Sequence, residues 1–238
     1  MMELVFLDNK NPESFPDPNQ ADESGLVAVS IGLGTRRLQA AYQQGIFPWM
    51  KLDQPPHLWC WYSPNPRMLL YPDEFKISRS LGRAINNEVF EIKLDHNFPG
   101  VIHACATINR GSEQNSWIEP DMELDYTKLH HMGVAHSIEA YIDDVLVGGL
   151  YGLALGKAFF GESMFHKVPE ASKVCMAKLV EIAQSSGIQF IDCQVPNPFL
   201  DSLGAREVER SQFLTLLKNA CQEKESVVNW VELAKNYP

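Results

Sequence analysis

From His136 to Phe165 the chain holds three runs of strand-forming residues with a period near two, HSIEAYI, VLVGGLYGLAL and KAFFGESMF, separated only by Asp143–Asp144 and by Gly156. A period of two places successive side chains on opposite faces of a strand, and connections this short can only reverse the chain. The stretch predicts an antiparallel three-stranded meander. The spacing then becomes helical in KVCMAKLVEIAQSSG, apolar at 174, 176, 177, 180 and 183, with Ser172 as expected N-cap and Gly187 as stop. A further strand, QFIDCQV, follows directly. Strands, a helix and another strand imply an α+β fold, a mostly antiparallel sheet covered by helices.

Upstream the signals are shorter. TRRLQAAYQQG predicts a helix from an N-cap at Thr35 to a stop at Gly45, with Leu38, Ala41 and Tyr42 inward. Prolines at 48, 55, 56, 64, 66 and 72 break the next stretch, which holds Trp49, Trp59 and Trp61 and reads as a rigid loop around short strands. SRSLGRAINNE predicts a helix capped by Ser78 or Ser80, with Arg79 and Arg83 on one face. FEIKLDHN reads as a half-buried strand, residues 100–112 as a helix, and Asp121–Gly133 as another with Leu124, Leu129 and Met132 inward.

Several classes fall away. No run approaches the roughly 18 apolar residues of a membrane span, and MMELVFLDNK lacks the pattern of a secretory signal. A soluble, cytoplasmic protein is expected. Its five cysteines are odd in number and never form CxxC, which predicts reduced thiols rather than disulfides or a zinc knuckle. At a net charge of −10 the chain repels phosphate on average, so any RNA must sit on a local basic patch.

In the strand Gln189–Val195, alternation puts Phe190, Asp192 and Gln194 on one face and Ile191, Cys193 and Val195 on the other. A carboxylate beside an amide on a central strand needs partners or a cleft, because a buried unpaired charge costs several kcal/mol. Glu162, after KAFFG, is placed to approach the same cleft. Two readings stay open: the trio lines a polar cleft, or it satisfies turn amides. Trp49 and Trp117 likewise either clamp a ligand from their loops or close a core. His130 and His131 are adjacent and cannot share a metal from one helical face, while His136 and His166 stand alone, so no metal site is expected. No GxSxG occurs, and the face assigned to Cys193 disfavours a covalent nucleophile.

Four blocks, AAYQQGIFPWM with WYSPNPR, SWIEPDMELDYTKLHHMGVAHSIEAY, LVGGLYGLALGKAFFGESMF, and ASKVCMAKLV through IDCQVPN to SLGA, resemble the bacterial leucyl/phenylalanyl-tRNA protein transferase family. The likeness implies a small N-terminal domain over residues 1–66 and an acetyltransferase-like (GNAT-like) catalytic domain over 67–238. It implies transfer of Leu, Phe or Met from aminoacyl-tRNA to proteins beginning with Arg or Lys, which marks them for degradation. No cofactor is needed, since the acyl donor is already an activated ester. The partners implied are the aminoacyl-tRNA and the acceptor protein, with no membrane, and the enzyme is expected to be a monomer.

By the same resemblance Glu162, Asp192 and Gln194 match the polar catalytic group. Trp49, Trp117 and Tyr126 match residues around the terminal adenosine and the amino-acid pocket, Leu150 and Phe159 its apolar wall, and Asn197 joins the substrate-binding set. The expected division of labour has Asp192 with Gln194 orienting and helping to deprotonate the attacking amine while Glu162 holds the acceptor's cationic N-terminal residue or the donor's amino group; proton transfer through the adenosine 2′-OH is the alternative. Arg79 and Arg83 stand in the tRNA-facing helix, but Asn86 and Asn87 follow them, so the grip would be shared with Arg36, Arg37 and Arg67. Phe199 replaces an expected histidine, and Asp125 stands where a small residue is usual. Two rival readings are an acetyl-CoA-dependent N-acetyltransferase, for which HKVPEASKV lacks a glycine-rich pyrophosphate loop, and a non-catalytic tRNA or peptide binder.

Overall fold

The structure is a computed structural model and describes residues 4–108, 117–222 and 226–237. Short strands separated by prolines build a first sheet from β1 (Leu26–Ser30), β2 (Phe47–Lys51) and β3 (Trp59–Tyr62), ordered β1-β3-β2 and antiparallel, with helix α1 (Thr35–Gln43) between β1 and β2. From Arg67 onward the strands join a second sheet. In chain order the elements are β4 (Arg67–Leu70), α2 (Arg79–Asn86), β5 (Glu91–Leu94), α3 (Phe98–Thr107), α4 (Pro120–His131), β6 (Ala135–Ile142), β7 (Val145–Leu155) and β8 (Ala158–His166). They continue with α5 (Ala171–Ser186), β9 (Phe190–Gln194), α6 (Pro198–Ser202), β10 (Arg206–Val208), α7 (Arg210–Ala220) and α8 (Trp230–Ala234).

The second sheet runs β10-β4-β9-β8-β7-β6-β5, and every pairing is antiparallel except β8 with β9. β6, β7 and β8 form the expected meander, and α5 carries the chain back so that β9 lies parallel to β8, as a helical crossover requires. One core, with Tyr42, Phe98, Met122, Tyr126, Phe160 and Phe213, also takes in Val27, Trp59 and Trp61 of the first sheet; the two sheets share it. A second core lies under α5, around Leu150, Phe159, Cys175, Leu179 and Ile191.

Several local expectations need correction. Thr35 is already helical; the N-cap is Gly34, at φ 76°, and its N–H donates to Asp125 Oδ2 at 2.8 Å. The carboxylate at 125 thus ties α4 to the start of α1, beside the positive end of the helix dipole. Ser172 does not cap α5: that position is Glu170, in left-handed conformation without a side-chain cap, and Ser172 is buried in the first turn. In α4 the inward residues are Met122, Tyr126 and Leu129, whereas Leu124 and Met132 are 57% and 55% exposed. The helix expected over 100–112 spans Phe98–Thr107, capped by the Asn97 side chain, and residues 109–112 lie outside the described part.

Two irregularities in the second sheet prepare the site. On β8, Gly161 faces Gly152 and Ser163 faces Tyr151, which leaves Glu162 as an extra residue between ladder positions. On β9, Asp192 faces Leu69 and Gln194 faces Met68, which leaves Cys193 extra. Such bulges interrupt strict alternation and re-aim side chains. Gly152 permits the first: a Cβ there would lie 2.2 Å from the Phe160 carbonyl oxygen, so β7 can cross closely only at a glycine.

Candidate active site

Backbone pairing between β8 and β9 stops at Phe160 and Asp192. Beyond that point Glu162 and Gln194 bridge the two strands through their side chains, Gln194 Nε2 donating to Glu162 Oε1 at 2.6 Å. Tyr42 of α1 donates to the same oxygen at 2.6 Å, and Tyr126 of α4 donates to Oε2 at 3.1 Å. The two tyrosine hydroxyls also contact each other. A single carboxyl therefore collects donors from three other elements.

Glu162 is 9% exposed, and burial pushes its carboxyl up to about 7; the three donors act the other way, and the negative charge of Asp192 adds to the rise. Burial and the same carboxylate hold the Tyr42 and Tyr126 hydroxyls well above the ordinary phenol range, so both stay protonated as donors. Glu162 and Gln194 also line a cavity of about 110 Å³ whose remaining wall includes Leu150, Phe159, Met164, Met176, Leu179 and Leu200. A carboxyl raised toward neutral pH in the wall of an apolar cavity is suited to moving a proton beside an apolar ligand.

Asp192 lies elsewhere. It is 0% exposed and forms a fork with Arg67, Nε to Oδ1 at 2.8 Å and Nη2 to Oδ2 at 2.6 Å, while Oδ1 also accepts the Gln194 N–H at 2.9 Å. Its oxygens are engaged inside the core and do not line the cavity. Asp192, expected with Gln194 to orient and help deprotonate the amine, is thus paired with Arg67, and Glu162 is the carboxyl that lines the cavity. Strict alternation mis-set the faces here, because the bulge at Cys193 and the left-handed φ of 64° at Gln194 turn Gln194 to Glu162 while Asp192 stays with Arg67. The same bulge leaves Cys193 on the cavity wall, where burial and then Asp192 push its thiol up to about 12.

Of the other expected site residues, Leu150 and Phe159 reach the cavity. Tyr126 joins through Glu162. Trp49 and Trp117 are half-buried against the shared core, Trp49 edge-on to Tyr62 at 5.1 Å, and neither lines this cavity. Asn197 is exposed, and its side chain caps α6 by accepting the Phe199 N–H at 2.8 Å.

The basic set divides as well. Arg79 and Arg83 are exposed on α2, and Arg36 is exposed beside Glu13. Arg67 and Arg37 are buried, which corrects the expectation that they face tRNA; Arg37 is occupied by Asp8 O, Asn9 Oδ1 and Gly32 O. Tyr42, not among the expected site residues, joins them through Glu162. Its inward face on α1 was legible, but its hydroxyl meets a carboxylate 120 positions along the chain.

His136 does not stand alone. Asp95, His130 and His136 place one ligand atom each within 4.8 Å of one another. Yet His136 Nδ1 contacts Asp95 at 2.7 Å and Nε2 contacts Gly133 O at 3.2 Å, while His130 Nδ1 meets Ala135 O at 3.0 Å. A cation would have to displace these bonds, and both rings are stacked, His130 on Phe98 and His136 on Trp230.

A family profile described as leucyl/phenylalanyl-tRNA protein transferase matches residues 69–218, and one for the N-terminal domain of the same proteins matches residues 33–65. Proteins named leucyl/phenylalanyl-tRNA protein transferase include one from Syntrophobacter fumaroxidans, 45% identical over 91% of this chain and 91% of its own. Another from Nitrosomonas eutropha is 45% identical over 97% and 96%, and one from Legionella pneumophila 46% over 91% and 96%. Among solved structures, a GCN5-related N-acetyltransferase-like protein from Streptococcus suis overlaps 76% of this chain and 68% of its own at 12% identity and a TM-score of 0.36. That last likeness is too distant to bear on function.

Proposed function

The chain belongs to the leucyl/phenylalanyl-tRNA protein transferase family, and on that footing we propose that it moves Leu, Phe or Met from aminoacyl-tRNA to acceptor proteins beginning with Arg or Lys, marking them for degradation. The observation that carries this reading is the Glu162 cage at the rim of an apolar cavity. An apolar cavity of roughly 150 Å³ holds a benzene molecule. The 110 Å³ here, flanked by two flexible methionines, suits the side chain of Leu, Met or Phe with slight adjustment.

The acceptor's neutral α-amine attacks the ester carbonyl of the aminoacyl group. A C–N bond forms, the C–O bond to the terminal ribose breaks, the amine loses one proton and the departing ribose oxygen gains one. Glu162, as carboxylate, takes the amine proton and returns it to the leaving oxygen; a carboxyl near 7 is matched to both halves of that task. Gln194, Tyr42 and Tyr126 fix the carboxyl so that little reorganisation is needed during transfer. The donor's side chain fills the cavity and sets its carbonyl beside Glu162, and β-branched side chains clash at the entrance.

The tRNA body lies over Arg79, Arg83 and Arg36, the exposed part of the basic set. Among the described residues no helix is long and apolar enough to cross a membrane, and we take the enzyme to work as a cytoplasmic monomer. Incubation with radiolabelled Phe-tRNA and an acceptor peptide beginning with Arg tests the reading. Acid-stable label at the acceptor's N-terminus is expected; an unlabelled acceptor with intact Phe-tRNA binding reduces the protein to a binder.

A further inference from the structure

Arg67 touches neither Glu162 nor the cavity, yet it contacts the backbone or side chain behind both donors to Glu162 Oε1. Its Nη1 donates to the Gly45 carbonyl at 3.3 Å, and Gly45 closes α1 by donating its own N–H to the carbonyl of Tyr42 at 3.1 Å. On its other side Nε and Nη2 grip Asp192, whose Oδ1 takes the Gln194 N–H and so holds Gln194 at the left-handed φ from which its amide reaches Glu162. The guanidinium sits between the rings of Phe47 at 4.8 Å and Phe213 at 4.4 Å, which leaves it one position.

We propose that Arg67 is a positioning residue for transfer: it clamps the end of α1 to β9, so that Tyr42 and Gln194 meet Glu162 together. The inference rests on the reading of Glu162 as the proton-handling group. A buried ion pair is weak support for stability, because desolvation offsets much of the attraction, whereas a planar fork with a third donor fixes geometry in a way that a point charge does not. The clamp joins residues separated along the chain by 22 positions on one side and 125 on the other. Loss of the guanidinium therefore loosens both donors at once.

The test compares wild type with Arg67→Lys, Gln194→Ala and the double variant, in steady-state transfer from Phe-tRNA and in hydrogen exchange of peptides covering residues 40–47 and 192–197. Arg67→Lys should lower kcat by about tenfold to a hundredfold, the scale of an ångström-level misplacement, with KM for Phe-tRNA unchanged. Its pH–kcat limb should move to higher pH, since Glu162 loses donors that favour the carboxylate. The double variant should lose less than the product of the single losses, and exchange should rise in both stretches together. Wild-type kcat, multiplicative losses, or exchange rising in one stretch alone overturns the proposal. If Arg67→Lys fails to fold, Arg67→Met with Asp192→Asn removes both charges, and wild-type kcat in that pair would overturn it equally. Should wild type itself transfer no label, the functional reading fails, while the exchange measurement still decides whether Arg67 clamps the two stretches.

Discussion

Two buried glutamates on one sheet differ in where their donors come from. Glu139 on β6 is 0% exposed and accepts from the Asn97 N–H, the Ser137 hydroxyl and the Tyr141 hydroxyl, each at 2.8 Å. Two of those donors are two residues away on the same strand, and the third is the residue that caps α3. Glu162 on β8 draws its donors from α1, α4 and β9 and borders a cavity. Donors from its own strand and from the adjoining cap of α3 tie Glu139 into the local structure. Donors converging from three distant elements on a carboxyl that lines a cavity are what the proposed proton-transfer role asks for, because nothing local requires them to meet there.

The sharpest way to break this contrast is Glu162→Gln. It keeps the shape and some hydrogen bonds but cannot take a proton, so kcat for Phe transfer should fall roughly a hundredfold to ten-thousandfold. Parallel turnover in variant and wild type would place the chemistry elsewhere. Next in size is the pH dependence of stability. Burial pushes the Glu162 carboxyl up to about 7 in the fold from the ordinary 4.5, so the folded state binds the extra proton between those values. The Glu162 contribution to stability is then greatest below 4.5, falls as pH rises through 7, and is lower above 7 by about 3 kcal/mol. Denaturant midpoints from pH 4.5 to 8 should show this slope in wild type and not in Glu162→Gln; equal slopes refute it.

Glu139→Gln should reverse the signature. Disturbing three buried donors costs about 1–3 kcal/mol of stability, seen as a lower midpoint, with kcat of the folded protein unchanged. A kcat loss without destabilisation would erase the distinction between the two glutamates. The smallest effect belongs outside both: Arg79→Ala should weaken tRNA binding and reduce the slope of log affinity against log salt by about 1, while saturating kcat stays the same. An unaltered salt slope takes Arg79 off the tRNA path.

Much of this was legible along the chain. The meander over residues 135–166, the helix stopping at Gly187 and the strand carrying Asp192 follow from periods and turn chemistry that act over a few residues. The family resemblance brought Glu162, Asp192 and Gln194 together. Their separate placements were not legible, since Glu162 and Cys193 are extra residues in ladders whose register belongs to the neighbouring strands β7 and β4. Arg67 and Arg37 read as surface cations, as arginines usually are; Arg67 lies inside because Asp192 and two aromatic rings compensate its lost hydration.

By itself the sequence determined the meander, the main helices up to α5, the strand β9 and the family they compose, because backbone conformation and turn preference are decided by neighbours in the chain. Only the tertiary structure decided which carboxyl borders the cavity and which is locked to an arginine. The charge state and direction of a buried group depend on donors and counter-charges brought from 32 to 125 positions away, and no local pattern carries that information.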